Sequence, residues 1–325
     1  MKPLLHAALY LALIAPVSLA QTSQPVASPL LGANDAQLAG DLKDDANAAA
    51  RLRAQVLLDR AHFGTGEIDG RWGSNTERAI AAFQRSRDLD ASGTMDDATW
   101  RALTTDASPV LVEYRLTAQD VAGPYTTIPG DMMEKAKLPQ LGFASLAESL
   151  GERFHASPAL LAALNPGADL TREGTTLWVP NVQGEALAKA ASVVVDKSDS
   201  SVMLRDENDR VFARFPASTG SEHDPLPMGK WTIKGVARDP HFQYNPKLFW
   251  DADAGHAKAK IAPGPNNPVG VVWVDLSKDH YGIHGTPEPG KIGKTESHGC
   301  IRLTNWDAAA VAAAVGPGTP AVLQQ

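Results

Sequence analysis

Tyr281-Gly282-Ile283-His284-Gly285-Thr286, followed after a loop by Ser297-His298-Gly299-Cys300-Ile301-Arg302-Leu303, holds the only cysteine of this 325-residue chain. A single thiol cannot close an internal disulfide, so it pairs with another chain, sits inert in a core, or reacts. The two histidines nearby favour reaction. A thiolate is the nucleophile of cysteine chemistry, and it needs a neighbour that takes its proton or steadies its charge. A strand followed by a loop can bring His284 back against Cys300. His298, two residues from the cysteine, shares its side of an extended backbone without having to touch the sulfur. His284 is therefore the expected base, with the Gly285 carbonyl accepting from its Nδ1–H to hold the ring. Gly299 lets the backbone approach a reacting carbonyl, and the N–H groups of Gly299 and Cys300 are candidates for an oxyanion hole. Arg302 suits either a substrate carboxylate or a structural ion pair.

Around this stretch the chain is strand-rich from Ala191 onward. Ser192 to Val195, Val202 to Leu204, Val211 to Phe215, Trp231 to Val236, Val271 to Val274, Tyr281 to His284 and Ala321 to Leu323 are short β-prone runs, a spacing that predicts a sandwich or barrel. One helix is expected after the capping sequence Thr304-Asn305-Trp306-Asp307, running to Val315. His241 to Pro268 is long, shows little regular pattern and carries Phe242, Tyr244, Phe249 and Trp250. A loop of that length inside a compact domain reads as a lid that keeps water from a reactive intermediate.

Upstream lie two smaller modules. Residues 48–105 predict three short helices, with Ser74-Asn75-Thr76-Glu77 as a capping box and Asp96-Asp97 opening the third. The order Ile68-Asp69-Gly70, Gly73, Thr76, Ala79, Phe83-Gln84, Leu89, Gly93, Asp97, Thr99-Trp100 and Leu103 resembles the three-helix peptidoglycan-binding domain of bacterial wall enzymes. Residues 111–183 predict a strand (Leu111 to Leu116), a helix (Ser145 to Phe154), a second helix opened by Ser157-Pro158 and stopped by Asn165-Pro166-Gly167, and a closing strand at Leu177-Trp178-Val179-Pro180. This βααβ order looks like a LysM domain, a binder of N-acetylglucosamine chains. It departs from that family where Ala118 to Ala144 stand between the first strand and the first helix.

The amino terminus reads as an export signal. Lys2, the apolar run Leu4 to Val17 and the small residues of Ser18-Leu19-Ala20 place cleavage before Gln21, so residues 1–20 are expected to be removed. The apolar run is too short to span a bilayer, and no cysteine near the cut offers a lipid anchor. Residues 21–47 read as a tether. The expected location is the periplasm or cell wall. A net charge of −7 without a basic cluster argues against nucleic acid or anionic lipid as partner.

The active stretch resembles the signature of L,D-transpeptidases of the YkuD type. Supporting matches are Ser218-Thr219-Gly220, Pro227-Met228-Gly229, Gly264-Pro265-Asn266-Asn267-Pro268-Val269-Gly270 and Gly318-Thr319-Pro320-Ala321-Val322, which together cover almost all of 191–325. The fold implied is multidomain α+β: a small three-helix domain, a LysM-like βααβ domain and a mostly-β, sandwich-like catalytic domain. By the same resemblance Cys300 attacks the carbonyl of the third residue of a tetrapeptide stem and expels D-alanine. The resulting thioester passes to the amine of a second stem, giving a 3→3 cross-link, or to water, and carbapenems acylate the same thiol. His284 takes the proton, Gly285 orients it, and His298, Gly299 and Cys300 line the oxyanion hole. Ser297, Arg302, Asn267, Trp273 and Tyr281 are assigned to substrate contact, with ordinary sheet packing the competing reading of Trp273.

No cofactor or metal is expected. Two other classes use the same residues differently. His284, His298 and Cys300 are legitimate zinc ligands, yet no His-Glu-x-x-His or paired-cysteine spacing accompanies them. A wall-binding protein with an inert thiol is the other class, and slow reaction with iodoacetamide distinguishes it.

Overall fold

The structure is a computed structural model that describes residues 28–297 and 299–325. The expected export signal, residues 21–27 of the tether and His298 lie outside the described residues. Beyond them the tether reading gives way to packing: Ala33 and Leu42 are buried, and the Asn34 side chain accepts from Val110 and Leu111 N–H while donating to the Leu111 carbonyl.

Three helices follow, α1 (Ala48–Arg60), α2 (Ser74–Ser86) and α3 (Asp97–Leu103). Leu52, Val56, Leu57 and Leu58 make α1 the buried centre, and Phe63 meets Phe83 edge to face at 5.6 Å between ring centroids. Asp96 caps α3 by accepting from Thr99 N–H at 2.7 Å. The expected capping box at Ser74 is not formed. Gly73 is the N-cap, and Glu77 instead accepts from the Trp72 indole at 2.9 Å and pairs with Lys43 at 3.1 Å, so its carboxylate is spent before it can reach back.

The next unit runs β1 (Leu111–Arg115), α4 (Ala118–Ala122), α5 (Met132–Lys135), α6 (Leu146–Arg153), α7 (Pro158–Leu164) and β2 (Thr176–Pro180), with β1 antiparallel to β2. Ser145 and Ser157 cap α6 and α7, and Pro158 sits at the first position of α7. The apolar faces of α6 and α7 join those of α1 and α2 in one continuous core, from Leu52 and Phe83 to Leu150, Leu164 and Val179. The two upstream modules are thus one packed body.

The remaining strands are β3 (Ser192–Asp196), β4 (Ser201–Arg205), β5 (Val211–Pro216), β6 (Gly229–Arg238), β7 (Phe242–Tyr244), β8 (Ala259–Ile261), β9 (Val272–Leu276), β10 (Gly282–His284), β11 (Ile301–Arg302) and β12 (Pro320–Gln324), with α8 (Asn305–Ala314) before the last. Eight of them form one sheet in the order β11-β10-β9-β6-β12-β3-β4-β5. The sandwich-like expectation is corrected here: two faces close on a shared core, but they belong to a single curled sheet. β6 makes the turn, pairing β12 through Gly229 to Thr232 and β9 through Ile233 to Arg238, with a register irregularity between Ile233 and Gly235. Val193, Leu204, Val274, Ile283 and Ile301 meet Val311 of α8 in the enclosed core. Thr304 caps α8, its hydroxyl accepting from Asp307 N–H at 3.1 Å, and the helix ends one residue short of the expected Val315. β7 and β8 pair as a separate hairpin within the segment expected to be a lid.

Candidate active site

β10 and β11 are parallel neighbours at one edge of the sheet, with Ile283 level with Ile301 and His284 level with Arg302. Ile283 and Ile301 point into the core. By strand alternation His284 and Arg302 therefore face the other way, and so does Cys300, one step before β11 and level with Gly282. This register brings the cysteine and the upstream histidine onto one face although a long loop separates them in sequence.

His284 is buried, and its Nδ1 lies 2.7 Å from the Gly285 carbonyl oxygen. A carbonyl only accepts, so Nδ1 carries the proton and Nε2 keeps its lone pair. Burial pushes the imidazole down to about 4; the Gly285 contact opposes that and the nearby Arg302 charge adds to it. On its other side His284 faces Trp273 of β9, the two rings stacked at 5.5 Å and 16°. A Cβ at Gly282 would come within 2.5 Å of the Trp273 ring, so only glycine there lets the indole lie across β10. Trp273 therefore serves the imidazole as packing. Gly282 was not singled out from sequence, though a glycine within a three-residue strand is a recognisable signal of close approach.

Cys300 is half-buried, and its thiol donates to the His280 carbonyl at 3.7 Å. Among the described residues no hydrogen bond joins the sulfur to His284. Burial pushes the thiol up, while the Gly282 backbone and Arg302 pull it down and Asp224 raises it further. Burial thus disfavours the charged form of both groups, and the resting imidazole is neutral with its proton on Nδ1. Gly299 has φ of +93°, the left-handed region, and a Cβ there would meet the Tyr281 ring at 2.9 Å. Tyr281 thus covers the turn that carries the cysteine.

Two residues assigned to substrate contact are spent on the fold. Asn267 is fully buried; its amide donates to Ala262 carbonyl at 2.7 Å and accepts from Val269 N–H at 2.9 Å, which leaves nothing to offer a ligand. The Ser297 hydroxyl donates to the Cys300 carbonyl, and Ser297 N–H to the Thr219 carbonyl at 3.0 Å, so this serine closes the nucleophile turn. Arg302 is half-buried, its backbone bonded to Ser218, and its charge acts on both Cys300 and His284. Asp224, on the loop between Gly220 and Pro227, was missed from sequence; it lies near enough to raise both Cys300 and Tyr281. Trp250 at the tip of the 241–268 segment is 63 % exposed and stacks on His223 of that same loop at 4.8 Å and 22°.

Known proteins match in two places. The L,D-transpeptidase catalytic domain family, YkuD, matches residues 190–323, and a peptidoglycan-binding domain family matches residues 47–103. The Bacillus subtilis protein YkuD, named as an L,D-transpeptidase, is 30% identical over 174 residues, which span 53% of this chain and 88% of that protein. Its counterpart from Bacillus licheniformis is 29% identical over 174 residues, 53% of this chain and 89% of that protein. Among solved structures, an L,D-transpeptidase from Xylanimonas cellulosilytica superimposes with a TM-score of 0.36 at 14% identity, covering 84% of this chain and 92% of that one.

Proposed function

This chain belongs to the YkuD family of L,D-transpeptidases, and on that premise we propose that it forms 3→3 cross-links in peptidoglycan through a thioester on Cys300. One observation supports this reading above the others: a buried, neutral imidazole locked by the Gly285 carbonyl, on the same sheet face as the chain's only cysteine. As Cys300 attacks the carbonyl of the third stem residue, its proton passes to His284 Nε2. The tetrahedral oxyanion is held by N–H groups of the turn at Gly299 and Cys300, and the family resemblance adds His298 to that hole. Collapse breaks the C–N bond, and the protonated His284 returns its proton to the departing D-alanine amine. The amine of a second stem then attacks the thioester, loses its proton to His284 and restores the thiol. Water in place of that amine gives an L,D-carboxypeptidase, and a protein amine attaches that protein to the wall.

The upstream body supplies the wall contact. Residues 47–103 match a peptidoglycan-binding family, and the βααβ order of β1, α6, α7 and β2 supports a LysM-like reading of the next part. Beside it opens a cleft of about 680 Å³ lined in part by Tyr114, Tyr125, Phe143, Asp120 and Arg153, a mix of rings and polar groups suited to a glycan strand. No helix among the described residues is long and apolar enough to cross a membrane. The periplasm or cell wall is the location that suits this substrate and the export signal read in residues 1–20.

Disaccharide-tetrapeptide incubated with the purified protein is expected to lose D-alanine and yield a cross-linked dimer by mass, with neither product from Cys300→Ala. Equal release by both variants overturns the catalytic assignment. Because the base is already neutral above about pH 4, kcat/KM is expected to hold its plateau through pH 5 to 6. An acid limb at the ordinary histidine value near 6.5 contradicts the buried tautomer.

A further inference from the structure

The imidazole is held by a backbone carbonyl, and a backbone carbonyl must itself be held. Asn305 is the first residue of α8 and only 1 % exposed. Its Oδ1 accepts from Val271 N–H at 3.2 Å and its Nδ2 donates to the Pro265 carbonyl at 3.2 Å, so the side chain points back from the helix into the turn ahead of β9. The same Oδ1 is pressed against two glycines. A Cβ placed on Gly285 would lie 2.1 Å from it, and one on Gly270 2.0 Å. Gly270 is equally close to Gly285, since its added Cβ would fall 2.7 Å from the Gly285 backbone. Three residues thus meet with no side chain between them except one amide. Asn305 has no hydrogen bond to His284 or Cys300; it reaches the chemistry only through the Gly285 peptide.

We propose that Asn305 is a positioning residue for the catalytic base: wedged against Gly285 and Gly270, its amide fixes the peptide whose carbonyl holds His284 with the proton on Nδ1. The inference deepens the transpeptidase reading and rests on it for the role of His284. It also places the upstream body near the site, because the Asn305 amide lies close enough to Glu152 on α6 to pull that carboxyl down against its burial. A shift of the Gly285 carbonyl frees the ring to rotate or to change tautomer, which removes the Nε2 lone pair that the thiol proton needs.

The test uses the full chain and two readouts. The ¹⁵N spectrum of the His284 ring reports the tautomer, and D-alanine release from disaccharide-tetrapeptide gives kcat and KM. Asn305→Ala is expected to mix the tautomers and lower kcat by about 100-fold with KM nearly unchanged. Asn305→Asp keeps an acceptor against Gly285 and Val271, and is expected to keep the wild-type tautomer and most of kcat. Gly285→Ala retains the carbonyl but collides with Oδ1, so it is expected to be impaired alone and to recover at least about tenfold when combined with Asn305→Ala, where its methyl fills the gap. An Asn305→Ala protein with the wild-type tautomer and kcat overturns the proposal, as does a double variant whose losses simply multiply, or an Asn305→Asp protein as defective as the alanine variant. Should Asn305→Ala not fold, the aspartate and Gly285→Ala variants decide alone. A wild type that shows the Nδ1–H tautomer yet releases no D-alanine sinks the transpeptidase reading and leaves the positioning role to the spectrum.

Discussion

The catalytic sheet meets the upstream body along two seams of opposite chemistry. At the first, Leu141 from the stretch between β1 and α6 packs with Tyr244 and Ile261 of the β7–β8 hairpin, flanked by Met132, Met133, Leu138, Phe242 and Phe249. Leu141 N–H donates to Pro263 carbonyl at 2.8 Å, and Asn266 N–H to Leu141 carbonyl at 3.0 Å. At the second, His155 pairs with Asp59 of α1 at 2.9 Å and stacks on Trp306 of α8 at 4.9 Å, beside the buried Asp307 and near Glu152. One Asp307 oxygen and the Trp306 indole N–H are buried without a partner among the described residues. The first seam is apolar with its polar groups paired; the second is ionisable and incompletely paired. The difference teaches that the site is attached by one joint whose ionisable groups, His256 with Asp131 at 2.8 Å, are partnered at its edge, and by another that buries titrating groups without full partners.

The largest effect is expected at the apolar seam. Leu141 is fully buried, so Leu141→Ala removes its contacts and leaves a cavity between the two chain segments that it joins. A loss of about 2–5 kcal/mol follows from truncating a buried leucine. Denaturant unfolding measures it, and amide exchange in β7 and β8 should accelerate in step. A loss below about 1 kcal/mol would mean that the hairpin does not depend on the 118–144 stretch, and the contrast between seams would collapse.

The ionisable seam predicts a pH dependence with a definite sign. Burial, with Asp59 adding to it, raises Asp307 to about 7, and burial raises Glu152 to about 7 as well. Unfolded, these carboxyls release their protons near 4. The folded state therefore binds more protons between about pH 4 and 7, and stability falls as pH rises through that window. His155 acts in the same direction. Burial lowers it, but Asp59 more than compensates, so its stabilisation is present below the ordinary histidine value and is lost as pH rises past the raised one. Asp307→Asn removes the titrating carboxyl while keeping its shape. At pH 8 it is expected to stabilise by about 1–2 kcal/mol, against a ceiling of about 4 from the shift alone, and to flatten Tm between pH 5 and 8. Leu141→Ala should leave that slope unchanged. An undiminished slope in Asp307→Asn would place the titration elsewhere.

The seams also explain which parts were legible in the sequence. The consecutive valines 193–195 marked β3, the capping pairs at Ser157-Pro158 and Thr304-Asp307 marked their helices, and the spacing around Cys300 pointed to the face it shares with His284. Each of these signals is local, or depends on one register. The stretches Ala118 to Ala144 and His241 to Pro268 both looked anomalous, one interrupting a βααβ pattern and the other too long for a loop. Each is half of one small core, and periodicity within either half cannot reveal a partner more than a hundred residues away. Asn267 and Ser297, read as substrate contacts, turn out to be engaged within the fold, which the sequence hid for a related reason. A buried asparagine that knits a turn and one that greets a ligand have the same letter, and only the tally of satisfied hydrogen bonds separates them. Asp224 carried no local signal, since what matters is its closeness to a thiol far along the chain.

The smallest effect distinguishes whether the apolar seam acts as one unit. The Asn266 side chain donates to the Gly142 carbonyl at 2.9 Å and to Glu148 Oε1 at 2.5 Å, directly beside the Leu141 backbone bonds. Asn266→Ala deletes both while its own N–H still reaches Leu141, so a loss of about 1–2 kcal/mol is expected. Glu148 keeps a donor in Ala144 N–H at 2.6 Å, which limits the cost to the one orphaned carbonyl and the lost charge-assisted bond. If the seam is cooperative, Asn266→Ala costs less in a Leu141→Ala background, by about 0.5 kcal/mol or more, because the backbone it braces has already loosened. Strict additivity in that cycle would mean that the hydrogen bonds and the apolar contacts hold the hairpin separately.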